Sequence, residues 1–215
     1  MYRVNKGVIR IVEIGLESLS LGGMVVNSSN LGLKGSKNIN YWMFVGRRNV
    51  DTALHVANGP ELQRACDLID EGEKPGVGEF VVTPSFGGFK TRASSIAHVV
   101  APRMTEPIRN DLDKLESTEA KNFTLQLSNC YRGPLAYAKE QGLSSIAFPA
   151  LACGVGNAPT SVSSKLGLQA AMRALQEEPG TLEEVVFACL ERKDFVIFQK
   201  TAQALDLTHE GEDAA

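Results

Sequence analysis

Residues 144 to 159, SSIAFPALACGVGNAP, constrain the fold of this chain more than any other stretch. Residues 146 to 148 form an apolar run typical of a buried parallel strand. Gly154 and Gly156 follow it, and a helical pattern then spans residues 161 to 175. A strand, a glycine-bearing loop and a helix present backbone N–H groups to a phosphate, and glycine allows close approach and a positive φ. We therefore predict an anion-binding loop here, with a plain structural turn as the alternative.

The composition predicts an ordinary globular protein. The 215 residues are 43% hydrophobic and 22% charged, which fits one domain of this length. The formal net charge of −3 argues against a general nucleic-acid binder, which is normally basic. The first residues do not resemble a signal peptide, and no stretch approaches about 20 apolar residues. We therefore expect no membrane span and a location in the cytosol or nucleus.

The cysteines give no sign of a metal site. Cys66, Cys130, Cys153 and Cys189 lie far apart in the sequence, without the spacing of metal ligands. In a reducing compartment they are expected to remain thiols. We predict neither a metal ion nor another cofactor.

Strand and helix patterns alternate along the chain. The predicted strands are 7–15, 24–26, 78–84, 95–102, 145–148 and 185–190, and the predicted helices are 50–69 (broken at Gly59-Pro60), 122–140, 161–175 and 194–205. This order predicts an α/β fold, a three-layer α/β/α sandwich with a mixed, mainly parallel sheet. We expect a single domain over residues 1–207, with an inserted loop at about 31–49 and a disordered acidic tail at 208–215.

Five segments of the chain, in order, resemble the macro domain, an ADP-ribose-binding α/β module. VVNSSN (25–30) resembles V-N-A-A-N, and NVDTALHVANGPEL (49–62) resembles G-V-D-G-A-I-H-x-A-A-G-P-E-L. GEFVVTPSF (78–86) and SIAHVVAP (95–102) resemble G-E-A-x-x-T-x-G-F and a strand ending I-H-x-V-G-P. CYRGPLAYAKEQGLSSIAFPALACGVG (130–156) resembles C-Y-x-x-x-L-x-x-A-x-x-x-G-x-x-S-I-A-F-P-x-x-S-T-G.

The resemblance implies a set of site residues. Asn27 and Asn30 would lie at the distal ribose, and Val50 and Asp51 on a first binding loop. Asp51 matches the carboxylate of hydrolytic members, so Asn30 and Asp51 would position a water molecule. The remaining ligand-binding positions are a second loop at the diphosphate and one residue after the last strand: Ala152, Cys153, Gly154, Val155, Gly156, Asn157 and Leu190.

The chain departs from the family pattern at defined positions. GRRN (46–49) replaces a glycine run before V-D, and the segment between Asn30 and Asp51 is about ten residues longer than in hydrolytic members. The adenine-binding aspartate of the family aligns with Leu16, and the aromatic residue that stacks on adenine aligns with Leu190. Phe195 or an aromatic residue of the inserted loop is a candidate replacement.

Several residues have a structural reading beside the functional one. Asn27 and Asn30 could cap a turn after a strand, although we favour ligand contact. Asp51 could interact with the dipole of a helix N-terminus instead of acting in catalysis. For His55 and Cys153 we favour packing over catalysis, while phosphate contact and a solvated loop remain equal alternatives for the arginines at 47–48.

Three hypotheses of function follow from the resemblance. The leading hypothesis is an ADP-ribose-binding macro domain that removes ADP-ribose from modified proteins or hydrolyses small ADP-ribose esters. The alternative, favoured by the altered first loop and adenine end, is a non-catalytic reader of ADP-ribose or another nucleotide. A third hypothesis is a degenerate scaffold that binds a protein partner. The expected partners are ADP-ribose or an ADP-ribosylated protein.

Overall fold

The computed structural model describes residues 1–35, 49–86, 92–177 and 180–207. Within them, seven strands form one sheet: β1 (Tyr2–Val4), β2 (Gly7–Glu13), β3 (Met24–Ser28), β4 (Phe80–Pro84), β5 (Ser95–Val99), β6 (Ser145–Pro149) and β7 (Glu184–Cys189). Their order is β1-β2-β7-β6-β3-β5-β4. The five central strands are parallel, and the two edge strands run antiparallel to their neighbours. The predicted mixed, mainly parallel sheet is confirmed.

Helices cover both faces of this sheet. The helices are α1 (Val50–Asn58), α2 (Pro60–Asp67), α3 (Glu106–Asp111), α4 (Thr118–Glu140), α5 (Thr160–Gln176) and α6 (Arg192–Ala204). Leu54 of α1 and Leu62 of α2 belong to one buried cluster, whereas α4, α5 and α6 contribute to a second, larger cluster. Two separate cores on the two faces of one sheet make the predicted α/β/α sandwich.

Strand β3 illustrates why the sequence forms this layered core. Met24 and Val26 point into the larger cluster, and Val25 points into the smaller one. Successive side chains of a strand alternate between faces, so a strand buried on both faces is apolar throughout. By the same alternation Asn27 lies on the face that α1 and α2 cover, which matters for the site below.

The boundaries of the elements largely follow the predictions, with two additions. The break predicted at Gly59-Pro60 separates α1 from α2, and Gly59 adopts φ 71° there. Strand β1 and helix α3 were not predicted, because three residues and six residues are too short to show a clear periodicity. Most of the predicted inserted loop (36–48) and the predicted disordered tail (208–215) lie outside the described residues.

No helix within the described ranges combines the length and the apolar character needed to cross a membrane. The location in the cytosol or nucleus remains a prediction.

Candidate functional site

A cleft of about 650 Å³ lies where the central parallel strands end. The carboxyl ends of parallel strands meet at one edge of a sheet, and ligands of open α/β folds bind outside that edge. Segments after β2, β3, β6 and β7 line this cleft, together with the first turn of α1. The polar segments after β3 and β6 are therefore on the same side of the protein, because these two strands are parallel neighbours.

All but two of the predicted site residues line the cleft. The lining includes Asn30, Val50, Asp51, Ala152, Cys153, Gly154, Val155, Gly156 and Leu190. Asn27 is fully buried beside Asp51, and Asn157 lies at the end of the second loop, outside the lining.

The loop after β6, residues 150–157, presents free backbone donors to the cleft. Among the hydrogen bonds of the described residues, none uses the N–H group of Gly154, Val155 or Gly156. Val155 is 76% exposed, and a Cβ atom on Gly154 would meet nothing within 4 Å. Consecutive unpaired N–H groups near the start of a helix are suited to an anion, and α5 begins at Thr160.

The conformation of the loop corrects one expectation about its glycines. The left-handed positions are Ala152 (φ 62°) and Asn157 (φ 58°), whereas neither glycine of the loop has a positive φ. Gly156 is instead required by close packing, because a Cβ there would lie 2.6 Å from the Ala152 carbonyl oxygen. Gly154 borders open space, and the absence of a side chain there leaves room for a ligand.

Hydrogen bonds from three other segments hold the loop in place. The Leu151 N–H donates to the Tyr131 hydroxyl of α4 (3.1 Å), and the Leu151 carbonyl accepts from Ser163 Oγ of α5 (2.7 Å). Met104 N–H donates to the Gly156 carbonyl (2.8 Å), and Arg109 of α3 donates to the Asn157 carbonyl (2.7 Å). The unpredicted helix α3 therefore serves to brace this loop.

Asp51 lines the same cleft at the second residue of α1. Asn49 caps this helix by accepting a hydrogen bond from the Asp51 N–H (2.9 Å). The Asp51 side chain is nearly buried, and Oδ1 accepts a hydrogen bond from Asn27 Nδ2 (2.7 Å). Burial raises the pKa of the Asp51 carboxyl, while the Asn27 hydrogen bond and the nearby His55 act in the opposite direction.

His55 lies one helical turn after Asp51, but the two side chains do not form a hydrogen bond. Its Nε2 is 3.6 Å from Asp51 Oδ1 and has no hydrogen-bond partner among the described residues. The backbone of Gly35 lies against the imidazole ring, where a Cβ would come within 2.5 Å. His55 is thus packed against Gly35, in agreement with the structural reading.

Asn30 borders the cleft but is largely engaged by its own loop. Its Nδ2 donates to the Lys34 carbonyl (2.8 Å), and its Oδ1 accepts from the N–H groups of Gly32 and Lys34 (both 3.2 Å). Both lone pairs of the oxygen are therefore used, and one N–H bond of the amide remains for a ligand.

Cys153 has the properties of an ordinary thiol. Its Sγ donates to the Leu151 carbonyl (3.4 Å), and burial raises the pKa of the thiol. A thiol with a raised pKa is a poor nucleophile near neutral pH, which agrees with the packing role favoured from the sequence.

Leu16 and Leu190, at the ends of the turns after β2 and β7, border the cleft where the family resemblance places adenine. Leu190 is 42% exposed. Phe195 packs on the large core cluster and carries the Arg192 guanidinium 5.1 Å above its ring, outside the cleft lining. The described residues therefore give no support to the suggested role of Phe195 in stacking on adenine, which stays a prediction.

Sequence reasoning missed several polar residues of the cleft. Arg103 is exposed in the lining, and the described residues form no ion pair with it. Ser29 Oγ is buried in the lining without a hydrogen-bond partner among the described residues. Lys193 and Glu191 form an ion pair (2.7 Å) at the rim. A single arginine after Pro102 belongs to no sequence motif. Its position in the cleft is therefore seen only in the folded structure. The arginines at 47–48 lie outside the described residues.

The described side chains do not include a group of three or more His, Cys, Asp or Glu residues placed to hold a metal ion. Among the described residues, the cleft offers one buried carboxylate, a set of backbone donors and a few polar side chains.

Comparison with known proteins places this cleft in a family. The Macro domain family model matches residues 26–166, which span the ends of β3 and β6, the start of α1 and the loop after β6. A macro domain-containing protein of Ralstonia nicotianae is 30% identical over 175 residues, 81% of this chain and 83% of that protein.

Solved structures agree over nearly the whole chain. A mutant of the Oceanobacillus iheyensis macrodomain with ADPR has a TM-score of 0.75 at 27% identity, covering 95% of this chain and 97% of that one. The same macrodomain with ADP gives the same TM-score and identity, with 95% of each chain covered. The family model, the relative and the solved structures agree, and the chain belongs to the macro domain family.

Proposed function

We propose that this protein binds ADP-ribose in the cleft, with the diphosphate at loop 150–157. The observation that carries the proposal is the row of three N–H groups, Gly154 to Gly156, which line the cleft and which no hydrogen bond of the described residues uses. The similarity to an Oceanobacillus macrodomain solved with ADPR and with ADP supports this choice of anion.

The arrangement of the strand ends suggests how the ligand lies. Loop 150–157 follows β6, which has β3 on one side and β7 on the other. A diphosphate at this loop would direct one ribose towards Asn30 and Asp51 after β3. The adenosine part would extend towards Leu16 and Leu190 after β2 and β7. A cleft of about 650 Å³ is of the size that holds ligands of this class.

The first test is calorimetric titration with ADP-ribose of the wild type and Gly154→Glu. A glutamate side chain at residue 154 would occupy the position of the diphosphate and repel its negative charge. Folding should be unaffected, because a Cβ at this residue would meet nothing within 4 Å. Gly22→Glu is the matched control, because Gly22 also has open space and precedes β3 at the opposite edge of the sheet.

We expect micromolar binding by the wild type and the control, about −8 kcal/mol, and at least a hundredfold loss in Gly154→Glu. Absence of binding by the wild type would contradict the proposal. It would direct the search to another nucleotide or to a protein partner.

We further propose that Asp51 and Asn30 allow the protein to hydrolyse bound ADP-ribose conjugates, either on modified proteins or as small esters. Asp51 is nearly buried at the cleft, and a carboxylate whose pKa is raised by burial is a better base than an exposed one. It could accept a proton from water attacking at the distal ribose, while the free N–H of Asn30 donates to a ribose hydroxyl.

The test of hydrolysis compares Asp51→Asn with the wild type on an ADP-ribosylated protein and on an ADP-ribose ester. The substitution keeps the size of the side chain but removes the base. We expect kcat to fall by about a hundredfold or more, with ADP-ribose affinity within about threefold. Unchanged turnover would remove Asp51 from the catalytic role.

One observation favours the non-catalytic reader as a second candidate. The Asn30 side chain makes three hydrogen bonds to its own loop, so only one N–H bond of its amide remains for a reacting ribose. Tight ADP-ribose binding by the wild type without turnover of either substrate would decide for the reader.

A further inference from the structure

Beneath Asp51, a row of buried polar side chains crosses three neighbouring strands. Asn27 of β3, His98 of β5 and Thr83 of β4 are each at most 3% exposed. Asn27 and His98 are direct partners in the register of β3 and β5. Buried polar groups in an otherwise apolar layer are costly unless each finds a partner, so the row calls for a physical reason.

The chemistry of the partners indicates which atoms donate, because an amide nitrogen can only donate. Asn27 Nδ2 lies 2.7 Å from Asp51 Oδ1 and 3.1 Å from His98 Nδ1, so its two hydrogens serve these two acceptors. His98 Nδ1 must then be unprotonated, and the neutral ring carries its proton on Nε2. That proton is donated to Thr83 Oγ1, 2.9 Å away. The tautomer follows from the partners on both sides of the ring.

The surroundings of His98 keep the ring neutral. Burial lowers the pKa of His98 to about 4, and the nearby His55 adds to the effect. The groups that face the ring from α2 and α1 are Cys66, whose Sγ is 3.9 Å from Nε2, and His55, whose ring centre is 6.4 Å away. A neutral His98 can accept from Asn27 throughout the neutral pH range.

The row orients one oxygen of the Asp51 carboxylate. Asn27 is the side chain that donates to Oδ1 among the described residues, since His55 Nε2 is 3.6 Å away. Oδ2 receives no hydrogen bond from these residues, although Asp51 lines the cleft. The carboxylate is thus held by one oxygen, with the other left for a ligand or water.

We propose that Asn27 and His98 are positioning residues for Asp51: the imidazole fixes the Asn27 amide so that it donates to Oδ1 and leaves Oδ2 for the reaction. This proposal rests on the hydrolytic function proposed for Asp51. Both amide hydrogens of Asn27 are occupied by the protein, whereas its Oδ1 has no hydrogen-bond partner among the described residues, so the ribose contact predicted for Asn27 would use that oxygen.

The direct test is the tautomer of His98, measured by ¹⁵N NMR on the ligand-free wild type. We expect a neutral ring with the proton on Nε2 down to a pH of about 5, given its depressed pKa. A proton on Nδ1, or a charged ring at neutral pH, would overturn the proposal. This measurement needs no substrate, so it stands apart from any failure of the hydrolysis assay.

A pair of variants separates positioning from general packing. In His98→Asn the side-chain oxygen falls near the place of Nδ1 and can still accept from Asn27, whereas the longer amide of His98→Gln falls near Nε2 and leaves Asn27 without this acceptor. We expect His98→Gln to raise the Asp51 pKa, followed by ¹³C NMR, and to lower kcat about tenfold with KM unchanged. His98→Asn should resemble the wild type in both readouts.

Thr83→Val covers the case in which His98→Gln does not fold. It removes the acceptor of the Nε2 proton and should shift the Asp51 titration in the same upward direction, by less. If the Asp51 pKa is the same in the wild type, in Thr83→Val and in a folded His98→Gln, the positioning role is refuted. If these titrations shift but the wild type has no turnover, the positioning stands and the hydrolytic function fails.

Discussion

The two ends of the cleft are built differently. At the carboxylate end, formed by Asn27, Asp51 and His98, each residue is at most 4% exposed and its side chain is hydrogen-bonded within the protein. At the leucine end, formed by Leu16, Leu190, Glu191 and Lys193, Leu190 is 42% exposed and the Lys193–Glu191 ion pair lies on the surface. Exposed ion pairs contribute about 0–1 kcal/mol, whereas a buried polar group left unpaired costs about 1–3 kcal/mol. The carboxylate end therefore fixes geometry, while Leu190 and the ion pair of the leucine end can change their ligand contacts at little cost to stability; Leu16 is buried in the core.

Among the tests of this contrast, we expect the largest effect in the pH dependence of stability. The pKa of His98 falls from 6.5 to about 4 on folding, chiefly through burial, so the unfolded chain binds more protons below pH 6.5. The contribution of neutral His98 is complete above pH 6.5 and is lost as the pH falls towards 4. Over that window we expect the wild type to lose about 3 kcal/mol of its free energy of unfolding through this residue.

Urea unfolding of the wild type and of His98→Asn, at about pH 7 and about pH 4.5, isolates the contribution of His98 to the free energy of unfolding. Asp51 acts in the opposite direction, because its raised pKa means that protonation favours the folded state as the pH falls. It is present in both proteins, so the difference between them reports His98. Parallel pH dependence in the two proteins would show that the carboxylate end is less isolated from solvent than the structure indicates.

Between the two ends, the glycines of the binding loop give an effect of intermediate size. A Cβ on Gly156 would lie 2.6 Å from the Ala152 carbonyl oxygen, whereas Gly154 has no neighbour within 4 Å. We expect Gly156→Ala to lower the free energy of unfolding by about 2 kcal/mol through overpacking. Gly154→Ala should leave it unchanged. Thermal unfolding of the two variants compares them directly, and equal melting temperatures would contradict this account of the loop.

The smallest effect is expected at the leucine end. Leu190→Phe offers an aromatic face where the resemblance places adenine, and we expect ADP-ribose to bind about threefold more tightly. Ribose 5-phosphate, which lacks adenine, should show no such gain in the same titration. Leu125→Phe is the control, since Leu125 is an exposed leucine of α4 outside the cleft. Unchanged or weaker ADP-ribose binding by Leu190→Phe would mean that adenine lies elsewhere.

The sequence predicts the scaffold of this site better than its contacts. The strand at 145–149 and the glycine loop behind it are visible because a doubly buried strand is apolar throughout and its end is marked by Pro149. The orientation of Asn27 is not visible, because residues 24–27 are all buried and show no alternation that would assign a face. The partnership with His98 depends on a strand that lies about seventy residues further along the chain.

The loop itself shows a second limit of sequence reasoning. Two glycines predict a backbone that needs unusual dihedral angles, yet Ala152 and Asn157 take those angles and the glycines serve close packing and open space. Local residue preference indicates that the chain turns here. Which residue adopts which angle is set by the bonds to Tyr131, Ser163 and Met104, which come from distant parts of the sequence.

The left-handed Ala152 has a consequence for the kinetics of binding. A non-glycine residue held at φ 62° persists only when its surroundings enforce it, here with the Ala158 N–H bonded to the Ala152 carbonyl at 2.9 Å. The loop therefore presents its N–H donors before any ligand arrives. The entropic cost of ordering the loop is part of folding and is not incurred again on binding. An anion meeting this loop should bind without waiting for a rearrangement, so ligands of different affinity would differ mainly in how long they stay.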